Sequence, residues 1–128
     1  MEEKSLQDAE RKAESDLPSL PRNLRIKKKT EFREIFRSGE RRTGEHLSII
    51  YIRKQGFKFG ITFRKEAKPA VKRNRAKRRI VQMIRSNMQL LKKDVHMVVH
   101  IPKSGIELTF DELKQEFFCL LAEAHILE

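Results

Sequence analysis

Between Arg64 and Arg85 the chain carries ten basic residues, Arg64, Lys65, Lys68, Lys72, Arg73, Arg75, Lys77, Arg78, Arg79 and Arg85, against the single acid Glu66. A helix face that is merely solvated mixes signs, so a run this one-sided points to a polyanionic partner. The arginine fork can grip phosphate in a bidentate way and can stack on bases. Asn74, set between Arg73 and Arg75, adds a donor and an acceptor. The chemistry on offer is phosphate recognition, and on an A-form surface such a helix reads shape and backbone more than sequence.

Catalytic constellations are not expected. His96 and His100 fall in a branched run that reads as a strand, where four residues span ~13 Å, too far to share one metal ion. Asp111, Glu112 and Glu116 follow a capping signal and suit a solvated helix face, and Asp94 precedes a strand, so none of the four reads as a nuclease carboxylate. No glycine-rich phosphate loop, nucleophile elbow or Cys-His cluster occurs. The lone cysteine, Cys119, sits in Phe-Phe-Cys-Leu-Leu and is expected to pack in the core.

Composition agrees with a binding protein. The 128 residues carry a formal charge of +11, with a mean hydropathy of -0.64, a balance that favours nucleic acid over an anionic membrane. Apolar runs are far shorter than the ~20 residues that cross a bilayer, and the first residues are charged where a secretory signal is apolar, so a cytoplasmic location is expected. The charge is unevenly spread. Residues 1–21 hold six acids against three bases and end in Pro18 and Pro21, which predicts a disordered acidic tail followed by one RNA-binding domain over 22–128. Residues 22–43 hold nine bases against three acids.

The elements that must position these residues are legible from periodicity. Thr30 as N-cap, then Phe32, Ile35 and Phe36 before Gly39, predict a short amphipathic helix. Leu47–Arg53 and the alternating Phe57–Arg64 predict two strands joined as a hairpin at Gln55-Gly56, with the phenylalanine face buried and a polar face open. From about Ala70 to Leu91 a helix is predicted, with Ala76, Ile80, Met83, Ile84 and Leu91 on its packing side. Val95–Ile101 reads as a buried strand, and Thr109-Phe110-Asp111-Glu112 opens a last amphipathic helix. The fold class is α+β, one sheet with helices on a face.

In these segments the chain resembles the bacterial ribonuclease P protein family. The match rests on Phe59-Gly60-Ile61-Thr62-Phe63, on Ala70-Val71 to Ile80 with its Arg-Asn-Arg box, on Lys28 to Gly39, and on Leu108 to Glu112, in the right order. The likeness covers roughly residues 22–124. It implies an α-β-β-β-α-β-α two-layer sandwich like the second domain of ribosomal protein S5, with a left-handed βαβ crossover, an arrangement that general handedness rules would not have chosen. It also implies a partnership with a catalytic RNA that performs the cleavage, with precursor tRNA as substrate and maturation of the tRNA 5′ end as outcome. On this reading the polypeptide has no catalytic residue and binds no cofactor or metal by itself, while Mg²⁺ acts in the RNA-containing holoenzyme.

The resemblance assigns catalytic-RNA contacts to the helix residues Lys72, Arg73, Asn74, Arg75, Lys77, Arg78, Arg79 and Arg85. It assigns a cleft for the single-stranded 5′ leader to Phe32, Phe36, Ser48, Ile50, Thr62, Arg64 and Lys65. Ile50 stands where the family often has an aromatic residue, Val81 where a further arginine is common, and Glu66 and Lys68-Pro69 replace a Lys and a Gly. The competing readings are a ribosomal or other structural RNA-binding protein without a role in processing and, further off, a stand-alone nuclease that uses the acids of the last helix.

Overall fold

The computed structural model describes residues 24–127; the acidic stretch 1–21 lies outside them. The elements in chain order are α1 (Lys29–Ser38), β1 (Glu40–Thr43), β2 (Ser48–Arg53), β3 (Lys58–Phe63), α2 (Ala70–Ser86), β4 (Val95–Ile101), the single turn α3 (Lys103–Ile106) and α4 (Phe110–Glu123). No helix among the described residues is long and apolar enough to cross a membrane.

The four strands form one sheet in the order β1-β2-β4-β3. This corrects the expected hairpin. The turn at Gly56 is real, with φ of 85°, but β2 and β3 are not neighbours. β4 lies between them, antiparallel to β2 and parallel to β3. The reason is the burial of β4: apart from His96 all of Val95–Ile101 is buried, and a run that is covered on both faces belongs in the middle of a sheet. The four-residue loop after β2 passes the start of β4, where Lys54 N–H donates to Asp94 O at 3.1 Å. The link from β3 through α2 to β4 is thus a crossover between adjacent parallel strands.

Alternation along the strands divides the core. On one face Ile49, Tyr51, Phe59, Ile61, Phe63, Met97, Val99 and Ile101 pack with Ala76, Ile80, Val81, Met83 and Ile84 of α2 and with Leu113, Phe117, Leu120 and Leu121 of α4. On the other face Ile50 and Val98 meet Ile26 and the α1 residues Phe32 and Ile35 in a smaller cluster. Complete burial of one such side chain stabilises by ~1.5–3 kcal/mol, which makes Phe32 the principal anchor of α1.

Caps and short segments adjust the expected boundaries. α1 starts at Lys29, with Lys28 as N-cap in place of Thr30, because the Glu31 carboxylate accepts from Lys28 N–H at 3.1 Å and from Lys27 N–H at 3.2 Å. α2 ends at Ser86, and Asn87 Nδ2 donates to Met83 O at 2.9 Å, so Leu91 is buried beyond the helix. The α4 capping box is present as expected: Glu112 N–H donates to Thr109 Oγ1 at 3.2 Å and Thr109 N–H to Glu112 Oε1 at 2.9 Å. Cys119 corrects its expectation. It is exposed, because Phe117, Leu120 and Leu121 fill the inward side of that turn.

Candidate nucleic-acid interface

α2 holds two surfaces at once. Its packing side buries Ala76, Ile80, Val81, Met83 and Ile84. At ~100° per residue, Asn74, Arg78 and Arg85 fall within about 40° of one another, and all three are exposed. Neither Arg78 nor Arg85 lies within ion-pair distance of an acid among the described residues. Arg75 is also exposed, and the first turn contains no acid, so the positive end of the helix dipole adds to the bases instead of being neutralised.

The flanks of α2 are braced. Lys72 Nζ donates to Glu107 Oε1 at 2.7 Å, and Lys72 is the first cause of the lowered Glu107 pKa. Arg73 Nη1 donates to Ala67 O at 3.3 Å, and Arg79 Nη1 to Leu108 O at 3.3 Å. The Arg79 guanidinium also lies 5.9 Å from the centre of the Phe110 ring, a cation–π contact that fixes its plane. Carbonyl partners leave these guanidinium charges uncompensated. Lys77 is half-buried and engaged.

The second surface is the sheet face beside α1. Register places Thr43, Ser48, His100 and Thr62 in one row across all four strands, and Arg41, Ile50, Val98 and Gly60 in the next. α1 covers the second row. A side chain at Gly60 would sit 2.9 Å from Phe32 Cε1, so the ring rests directly on the strand backbone. The first row lies at the edge of this cover and is polar. There Thr62 Oγ1 and His100 Nδ1 are 2.7 Å apart, and the Phe36 ring stands edge-on to His100 with centres 6.2 Å apart. Arg64 and Lys65 are exposed just past β3, and Arg64 Nε donates to Glu66 Oε2 at 2.9 Å.

This geometry sorts the expected cleft residues. Phe36 and Ser48 are half-buried, and Arg64 and Lys65 are exposed, so these four present atoms to a ligand. Phe32 and Ile50 correct the expectation. Each is only 1 % exposed within the α1 cluster, and Thr62 is also fully buried. The four-residue spacing of Phe32 and Phe36 served packing for the first and exposure for the second. His100 was missed as a site residue, and the signal was there: a histidine at an alternate position of β4 must share a face with Val98 and His96. Its pKa is lowered from 6.5 to about 4, first by burial and then by the charges of Arg41 and Arg64, so at neutral pH it is an uncharged imidazole. His96 stands four residues away, in the row of Ile52 and Lys58, and the two rings do not converge.

One ion pair holds the wall of the cleft. Burial tends to raise the Glu31 pKa, but Lys58 Nζ at 2.9 Å and the N–H groups of Lys28 and Lys27 outweigh it, and the value falls to about 2. The pair joins α1 to β3, and Lys54 Nζ, 3.1 Å from Glu34 Oε1, joins α1 to the loop after β2.

Comparison with known proteins places the chain in a family. The family model described as Ribonuclease P matches residues 20–125. The ribonuclease P protein component of Limosilactobacillus fermentum is 31% identical over 113 residues, which cover 85% of this chain and 98% of that protein. That of Dictyoglomus turgidum is 33% identical over 113 residues, covering 85% and 95%. Among solved structures, the Staphylococcus aureus RNase P protein superimposes with a TM-score of 0.76 at 20% identity, covering 82% of this chain and 98% of that one. The Thermotoga maritima RNase P protein gives 0.70 at 21% identity, covering 77% and 96%. The two structures share the fold, and the sequence matches go further: the chain belongs to the ribonuclease P protein family.

Proposed function

We propose that this chain binds the catalytic RNA of ribonuclease P through the exposed side of α2, and the single-stranded 5′ leader of precursor tRNA through the cleft between α1 and the polar sheet row. The assembly promotes endonucleolytic maturation of the tRNA 5′ end in the cytoplasm. The observation that carries the reading is the uncompensated stripe of Asn74, Arg78 and Arg85, with Arg75 beside it, on a helix whose bracing partners are mostly carbonyl oxygens. A rigid donor array of this kind suits a folded backbone of fixed phosphate spacing.

The cleft suits a different form of RNA. Phe36 offers one stacking surface, Ser48 a hydroxyl, and Arg41, Arg64 and Lys65 charge for the backbone. With a single aromatic at its edge, the cleft holds a short strand with little base preference. The chain contributes positioning and charge neutralisation, the chemistry belongs to the RNA subunit, and neutralised phosphates let Mg²⁺ gather at the RNA's reacting centre.

Reconstitution tests this reading. Purified protein, the catalytic RNA and precursor tRNA are assayed together and with each component left out, at low Mg²⁺. Arg78→Glu with Arg85→Glu is expected to weaken assembly at least about tenfold and to flatten the salt dependence by about two phosphate contacts, while unfolding stability stays within about 0.5 kcal/mol. Unchanged RNA affinity in that double variant refutes α2 as the binding face. A ribosomal or other purely structural role predicts no stimulation of 5′ processing.

A further inference from the structure

We infer that the loop joining β1 to β2 and the facing side of α4 form a binding site for one divalent transition-metal ion, with Glu45, His46 and Glu116 as its protein ligands. Ligand atoms of these three residues all lie within 4.8 Å of one another. Donors of one ion at bond lengths of ~2.0–2.2 Å stand ~3.3–4 Å apart, so a small rotamer adjustment closes the set.

Three features mark the place as built. First, Glu116 is held from across the chain: its Oε2 accepts from the N–H groups of both His46 and Leu47 at 2.6 Å. That fixes the carboxylate and leaves Oε1 free to bind. Second, Gly44 lets the loop pass close over this carboxylate, since a Cβ there would sit 2.6 Å from Glu116 Oε2. Third, His46 Nε2 lies 3.9 Å from Glu45 Oε1, while its Nδ1 is shut off from solvent without a hydrogen-bond partner. An imidazole so held has not spent its donor and acceptor on the protein.

The surroundings select the ligand. The three residues line a cavity of about 550 Å³ that also receives Glu112, Cys119 and Glu123 and that no lysine or arginine lines. In a chain of net charge +11, a recess with four carboxylates and no basic residue draws cations. An imidazole beside two carboxylates, with a thiol in the same recess, favours zinc or a similar borderline ion over Mg²⁺, which prefers oxygen ligands and retains its water. Water completes the coordination. The bound ion would pin the loop before Ser48 to α4. This goes beyond the metal-free polypeptide expected from sequence and is independent of the RNA-binding proposal.

The test is isothermal titration of the full-length protein, stripped with chelator, using zinc chloride with and without millimolar Mg²⁺. Wild type is expected to take up one zinc at micromolar protein concentration, undisturbed by Mg²⁺. Glu45→Gln and His46→Gln are each expected to weaken that binding at least about tenfold with circular dichroism unchanged. Glu116 is left intact because its carboxylate also caps the loop. Absence of zinc uptake, uptake that survives His46→Gln, or displacement by Mg²⁺ at similar concentration overturns the assignment.

Discussion

Replacing His100 by Gln isolates the contribution of one buried imidazole to the acid stability of the cleft. In the folded chain His100 resists protonation until about pH 4, chiefly because it is buried and also because Arg41 and Arg64 repel a second positive charge, whereas in the unfolded chain it protonates near 6.5. Above pH 6.5 both states hold the neutral ring, and the full stability is present. As pH falls from 6.5 towards 4, only the unfolded state takes up the proton, so stability drops through that window. At about 1.4 kcal/mol per pH unit the loss reaches about 3 kcal/mol. Urea unfolding followed by circular dichroism across this window gives the slope for wild type. The Gln variant keeps a group able to hydrogen-bond Thr62 but lacks the titration, so its curve should lose most of that slope. Parallel curves for the two proteins, or an NMR titration that places His100 near 6.5, would refute the reasoning.

Other perturbations probe the remaining supports of the cleft and the sheet. Gly60→Ala drives a methyl to within 2.9 Å of Phe32 Cε1, and chemical denaturation should show a loss of ~1–3 kcal/mol that Phe32→Leu partly restores. Thr109→Ala removes the hydroxyl that accepts from Glu112 N–H; the expected cost in urea unfolding is about 1 kcal/mol, with no change in RNA affinity.

Local signals carried most of the fold. The helical spacing of Ala76, Ile80, Met83 and Ile84 and the alternation of Phe57, Phe59, Ile61 and Phe63 gave the right elements and inward faces, because each pattern is fixed by the geometry of its own segment. Pairing was another matter. Gln55-Gly56 turns the chain as a hairpin would, and only the branched, mostly apolar run Val95–Ile101 hinted that a later strand would enter between its arms. The basic side of α2 was legible for the same reason as its apolar side. The lining of the cleft was legible only in part, because whether Phe32 or Phe36 is buried depends on where α1 crosses Gly60, a contact between distant parts of the chain. Glu45, His46 and Glu116 are separated by 70 residues at the widest hydrogen bond that joins them, beyond the reach of any spacing rule.

The two borders of the sheet bear on how the chain behaves before any partner covers it. At β3 the outer border is closed by the bridge from Arg25 to Phe59 and by Ile26 N–H donating to Phe59 O at 3.0 Å. At the opposite border β1 is four residues long, with Glu40, Arg41 and Thr43 exposed. Neither offers the long, flat, apolar template on which copies of a protein stack into aggregates. Under the proposed function, a chain made in excess of its RNA can therefore wait as separate molecules, with its cationic helix still available.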